Sequence, residues 1–286
     1  MILWKGVLML EIRNARLKEI HEIKNSVEAC SSNNYYSDFT GNILYYIIIN
    51  KCFLIINNKK LQGILFIKEN KKEVFYIPVN TNTSFFHFIY ILRKYFNLNG
   101  YILNLRYKKI STQLSEKYFS ICIKSDLKYM DIDLSNYEDG CNNTGSIHVR
   151  NMNIGKDETI RVNLQNEIFG NVPGRKNLTV KEIVYEENGY GFLNNYCFIL
   201  EKNLIPAGYG QIIISGGEFY LVNFGIIPEY RNNGLGFIFL NEILRVCKKN
   251  GLIKLFLTVD KNNSSAIKLY LKSGFRDLYN NIQISL

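Results

Sequence analysis

The chain has 286 residues, with 35 Lys and Arg against 25 Asp and Glu for a net charge of +10, and 47% hydrophobic against 21% charged residues. That apolar content excludes intrinsic disorder and a collagen-like repeat, and at about 100 to 200 residues per domain the length holds one large domain or two smaller ones. The lysines are scattered through both halves without a dense basic stripe, so the charge reads as a solvated surface and no nucleic-acid partner is expected.

Residues 1–8 are too short for a signal h-region, and the longest apolar run, 43–49, carries two tyrosines and falls well short of the ~18 residues of a membrane span. A cytoplasmic protein with no membrane partner is expected. Hydrophobic period then predicts a strand at 10–13, a helix over 15–29, and strands at 52–56, 61–68 and 73–79 joined by polar turns. An amphipathic helix at 84–96, a strand at 101–105, a short helix at 112–118 and strands near 121–123 and 129–134 complete the first half. The segment 135–146 is rich in turn formers and poor in apolar residues, which places a domain boundary there, with domains at 1–140 and 141–286.

The second half predicts a strand at 147–151, helices within 157–168 and 180–187, and strands at 197–201, 207–214 and 219–227. A long helix at 234–249, a strand at 254–259, a helix at 264–272 and strands near 275–278 and 282–286 follow. Both halves therefore read β, α, α, β, β, β, α, β, α, β, β, the signature of one fold in tandem.

The six cysteines (Cys30, Cys52, Cys122, Cys141, Cys197, Cys247) form no C-x-x-C pair and no cluster with histidine, so reduced thiols are expected and neither disulfides nor zinc. His21, His87 and His148 share no pattern, and no metal is expected.

The informative stretch is 221–236, a strand that runs through Pro228 into Arg231-x-x-Gly234-x-Gly236 at the start of a helix. Glycines at such a turn let the backbone approach a ligand, and the first helical N–H groups favour a bound phosphate. The same glycines could instead serve tight helix–sheet packing. Further on stands Asn263-x-x-Ala266-x-x-Leu269-Tyr270-x-x-x-Gly274-Phe275, a polar cap, a short helix and a Gly-Phe exit.

In this order and spacing, the two motifs resemble the GNAT superfamily of acyl-CoA-dependent N-acyltransferases, over roughly 147–286; the first half shares only the element order. The resemblance implies an α/β (α+β) fold of two tandem GNAT-like domains, each a mixed, mostly antiparallel sheet flanked by helices. It implies acetyl-CoA as cosubstrate, without metal, for transfer to a primary amine in a ternary complex. The backbone of Phe224, Gly225 and Ile226 would pair with the pantetheine arm where two parallel strands splay. Arg231, Asn232, Asn233, Gly234, Leu235, Gly236 and Phe237 would form the pyrophosphate loop, and Asn263 would hydrogen-bond the cofactor. The N–H of Ile226 would stabilise the oxyanion, and Tyr270 would protonate the leaving thiolate.

Some relatives carry a glutamate base at the position of Thr258, which cannot act as a base at neutral pH, so Glu218 is the expected substitute with Asp260 behind it. The first half has Asn80-Thr-Asn-Thr-Ser84 where the phosphate turn would be, without arginine or glycine, and this copy is expected not to bind acetyl-CoA. It would shape or cover the acceptor site, or mediate homodimerisation. The acceptor, a small molecule or a peptide, would be recognised by 157–187. The rival reading is a non-catalytic acyl-CoA-binding, sensing or scaffold protein.

Overall fold

The computed structural model describes residues 10–32, 42–79, 92, 96, 98–107, 123–138, 146–172 and 174–286. The first half contains β1 (Leu10–Asn14), α1 (Ile20–Ser32), α2 (Ile43–Ile48), β2 (Cys52–Asn57), β3 (Lys60–Lys68), β4 (Glu73–Pro78), β5 (Ile102–Tyr107) and β6 (Ile123–Asp133). The second contains β7 (Ile147–Asn151), α3 (Glu158–Phe169), α4 (Val180–Glu187), β8 (Phe192–Lys202), β9 (Ile205–Ser215), β10 (Glu218–Ile226), α5 (Leu235–Lys249), β11 (Lys254–Asp260), α6 (Ser264–Lys272) and β12 (Arg276–Ser285). The helices expected at 84–96 and 112–118 and the turn at 80–84 lie wholly or largely outside the described residues, as does most of 135–146.

The chain divides into two compact units, one of Met1–Lys128 with Tyr279–Leu286 and one of Tyr129–Leu278. In the first, β1, β2, β3 and β4 pair antiparallel in sequence order, β4 meets β5 in parallel, and β12 pairs antiparallel with β5. Its core is Ile55, Leu65, Val74, Leu103, Leu105, Ile282 and Ile284 on one face and Ile23, Ile47, Leu54, Ile64 and Phe66 on the other. Both faces of β3 are thus covered, and its long run of buried residues reflects that.

The second unit repeats the pairing: β7, β8, β9 and β10 antiparallel, then β10 parallel to β11, with β6 beyond β11. On β11 the residues Leu255, Leu257 and Val259 face the core, and α5 meets them with Phe239, Leu240, Ile243, Leu244 and Cys247. Local residues set several helix ends. Thr179 and Glu182 form a capping box at α4, and Asn263 caps α6 by accepting the Ala266 N–H at 3.1 Å. The left-handed Gly251 (φ 80°) ends the turn after α5.

Two expectations differ from the structure, and one helix lies where no element was expected. The run at 43–48 is helical, opened by Asn42, whose side chain accepts the Tyr45 N–H at 3.3 Å. The two strands expected near 121–134 are one, β6, as are the last two, β12. In β12 the polar pair Asn280–Asn281, which reads as a break, lies in register with Tyr107 and Arg106 and continues the ladder. Among the described residues no helix is long and apolar enough to cross a membrane, and no group of three or more His, Cys, Asp or Glu could hold a metal ion.

Candidate functional site

β10 and β11 pair only at Tyr220–Phe256 and Leu221–Leu257, and then part. On the other edge the ladder of β10 with β9 is interrupted between Val222 and Gly225, where Asn223 is left-handed (φ 51°). The bulge turns the Phe224 ring towards the helices, 5.3 Å from Phe239 and 6.2 Å from Tyr270. Backbone at 222–226 is thereby left with a side that β11 does not pair. Gly225 is required for another reason: any Cβ there would overlap the Ile168 side chain of α3, which packs on the strand.

Beyond Ile226 the chain makes a 3-10 turn at Pro228–Tyr230 and enters the segment 231–236. The Arg231 guanidinium donates to two main-chain carbonyls, Nε to Ile226 O at 2.9 Å and Nη2 to Ile168 O at 2.8 Å. Its side chain braces the turn against the ends of β10 and α3. Asn232 (φ 63°) and Gly234 (φ 76°) are left-handed, and α5 starts at Gly234 without a side-chain cap. The N–H groups of Leu235 and Gly236 have no carbonyl four residues back within the helix to donate to. A Cβ on Gly236 would meet Leu269 at 3.4 Å and Ile226 at 3.9 Å, ordinary contact distances, so packing does not demand glycine there. A Cβ on the left-handed Gly234 would meet nothing within 4 Å, and the uncapped donors at the positive end of the helix fit a phosphate. Lys272 lies 4.3 Å over the Phe237 ring beside the turn, where an open pocket of about 420 Å³ is lined by Phe237, Asn241, Lys272, Ser273 and Arg276.

Tyr270 is buried between Phe224 and Phe275, and burial pushes its phenol up to about 12. Its hydroxyl has no hydrogen-bond partner among the described residues. The Asn263 carbonyl is committed to the helix cap and to the Ser265 hydroxyl at 3.0 Å, which leaves its amide N–H groups. Glu218 is exposed at the start of β10, opposite Ser215. It precedes Phe224 by six residues, about 20 Å at ~3.3 Å per residue, and is not brought to the splay. Thr258 and Asp260 are exposed on β11, and Asp260 accepts the Asn262 N–H at 2.8 Å.

One cluster is absent from the sequence reading. Arg161 of α3 is fully buried, paired with Glu186 at 2.5 Å and Glu187 at 3.3 Å, and donates to Gln211 Oε1 at 3.3 Å. Its guanidinium lies over the rings of Phe192 (5.6 Å) and Tyr209 (5.4 Å). Burial raises the Glu187 carboxyl, with Glu158 adding to the effect and Arg161 opposing it. The cluster joins charges on α3 and α4 with an amide on β9, and the only local signal was a polar residue every third or fourth position along α3 (Glu158, Arg161, Gln165), which reads as a solvated stripe.

Residues 165–275, within the second unit, match the model of the acetyltransferase (GNAT) family. The mycothiol acetyltransferase of Stackebrandtia nassauensis is 28% identical over 137 residues, 45% of this chain and 44% of that protein. The ribosomal protein bS18-alanine N-acetyltransferase of Escherichia coli is 32% identical over 89 residues, 31% of this chain and 58% of that protein. The chain thus spans about half the length of these curated relatives. Among solved structures, a GCN5-related N-acetyltransferase from Sphaerobacter thermophilus superposes with a TM-score of 0.61 at 13% identity, covering 96% of this chain and 94% of that one, a likeness of fold.

Proposed function

We propose that the chain is an N-acetyltransferase that moves an acetyl group from acetyl-CoA directly to a primary amine, the two substrates bound together. The observation that carries this reading is the parting of β10 from β11 after two paired residues, upstream of an uncapped helix start with open space at Gly234. The backbone at Phe224, Gly225 and Ile226 would hold the pantetheine arm as an added strand, and the N–H groups of 232–236 would hold the pyrophosphate, that of Phe237 being taken by the Gly234 carbonyl, with Asn263 donating from α6. Acetyl-CoA supplies the activated thioester. The amine nitrogen forms a bond to the carbonyl carbon, the Ile226 N–H stabilises the negative oxygen, and Tyr270, protonated at neutral pH, donates to the departing sulfur.

The first unit repeats the strand pairing of the second, which supports a tandem origin, with acetyl-CoA assigned to the second unit alone. The E. coli relative is named for an alanine of a ribosomal protein, so a peptide α-amino group is the first acceptor to try. A second reading, a non-catalytic acyl-CoA-binding protein, is favoured by the state of the candidate bases: Glu218 is remote, Thr258 is neutral, and Asp260, on β11 beyond its last pair with β10, accepts the Asn262 N–H of the turn that follows. The test is release of free thiol from acetyl-CoA with an alanine-initiated tripeptide, a diamine and an amino sugar. Turnover above hydrolysis with any of them supports the transferase. Tight binding of acetyl-CoA without turnover supports the second reading.

A further inference from the structure

We propose that Arg175, on the loop between α3 and α4, selects an acceptor that carries a carboxylate within several bonds of its amine. This deepens the transferase reading and rests on it. The face of β10 turned towards α5 and α6 is filled by Phe224, Phe239, Tyr270 and Phe275, so an acceptor reaches the strand from the opposite face, where α3 lies. The last turn of α3 adjoins the splay itself. Ile168 packs where a Cβ of Gly225 would stand, and one guanidinium, that of Arg231, holds both the Ile168 and the Ile226 carbonyls.

The loop that leaves this turn is fixed in place. Asn166 and Leu178 exchange two hydrogen bonds, Asn166 Nδ2 to Leu178 O at 2.9 Å and Leu178 N to Asn166 Oδ1 at 2.7 Å. Between these anchors, Arg175 lies 4.2 Å over the ring of Phe169, the residue after Ile168. Its Nη2 donates to Gln165 Oε1 at 3.2 Å, and Gln165 stands three residues before Ile168, on the same face of α3. Gln165 is buried, and its Nε2 has no partner among the described residues, so an orphaned amide donor lies beside a cation. Both groups lack an oxygen to bind.

Both groups that hold Arg175 are neutral, and among the described residues no carboxylate lies within ion-pair distance of it. Burial lowers its guanidinium from the ordinary arginine range, and Glu186, which opposes this, is already paired with Arg161 at 2.5 Å. The other acids of α4 are committed as well, Glu182 to the Thr179 cap and Glu187 to Arg161. Glu167 of α3 is two positions from Gln165 and so leaves the helix on another side. The exposed Lys176 adds a second positive charge to the loop. A guanidinium fixed by a ring and an amide oxygen keeps its charge and most of its N–H groups for a ligand, and a planar carboxylate matches that fork. The carboxylate belongs either to a side chain near the N-terminus of a peptide or to a free amino acid, and the probes separate these sources.

The test is kcat/KM for release of thiol from acetyl-CoA with two sets of probe amines. One set is the C-terminally amidated tripeptides Ala-Asp-Ala, Ala-Asn-Ala and Ala-Lys-Ala; the other is β-alanine, 4-aminobutyrate and their amides. Wild type, Arg175→Gln and Arg175→Lys are compared, with acetyl-CoA affinity and melting temperature read in parallel. The expected result is a wild-type preference of at least about 10-fold for the carboxylate over its amide in one set, carried by KM, shrinking with added salt and falling to near unity in Arg175→Gln. Arg175→Lys should keep part of it. Preference among the tripeptides assigns an acidic peptide, and preference among the small amines a free amino acid. Equal rates for acid and amide in both sets overturn the assignment. So does a folded Arg175→Gln enzyme that keeps the wild-type ratio, which would leave Arg175 a clamp of its loop. Turnover of no amine by wild type overturns the transferase reading and this assignment with it, whereas turnover without preference overturns this assignment alone.

Discussion

At Gly236 the two meanings of a glycine-rich turn separate. A Cβ there meets Leu269 at 3.4 Å, so Gly236→Ala should fold and melt within about 1 kcal/mol of wild type, whereas Gly236→Asp should fold and yet place a carboxylate where phosphate is held. Comparable acetyl-CoA affinity in the two variants would show that the glycine serves neither role. Tyr270 is the other residue whose environment decides its use. With its phenol at about 12 it remains protonated throughout the physiological range, so the rate should show no alkaline limb from this group below about pH 10. Tyr270→Phe should lower kcat by roughly 100-fold while acetyl-CoA affinity is kept; loss of affinity instead would assign Tyr270 to packing between Phe224 and Phe275.

Among the elements, the turn from β10 into α5 depends on a residue whose type was legible and whose task was not. The motif Arg231-x-x-Gly234-x-Gly236 reads as an anion loop, but the guanidinium holds two backbone carbonyls, one at the end of β10 and one at the end of α3. A sequence cannot show that partner, because Ile168 lies 63 positions earlier. Arg231→Ala should therefore act through stability, by about 3 kcal/mol for two charge-assisted hydrogen bonds, and weaken acetyl-CoA binding only as the turn loosens. Chemical denaturation of the variant checks this; undiminished stability would contradict the bracing role. The helices and strands of the second unit were legible because their apolar periods are regular and their caps are local: Thr179 with Glu182, and Asn263 with Ala266. Glu218 was legible as the first residue of β10, and its separation from Phe224 follows from the strand's length. The Arg161 cluster was hidden because its polar groups converge only when α3, α4 and β9 are packed.

For the whole molecule, the repeated order of the strands was legible, and the path of the C-terminus was not. Tyr279–Leu286 belongs to the first unit, where Ile282 and Ile284 are buried in the core beside β5. Nothing in the pattern of residues 279–286 names β5 as a partner, since register over a long separation is set by the burial of both strands. Deleting 279–286 should remove roughly 3 to 6 kcal/mol of buried apolar contact from the first unit, enough to lower its melting transition by many degrees. Scanning calorimetry checks this, and an unaltered thermogram would contradict the placement of that segment. The central claim is that the second unit binds acetyl-CoA through the splayed strands and the start of α5. A calorimetric titration of the full chain with acetyl-CoA, repeated with Gly236→Asp, tests it most directly. The account predicts one site per chain, abolished in the variant. Two sites, no binding at low salt, or unchanged binding in a folded Gly236→Asp would contradict it.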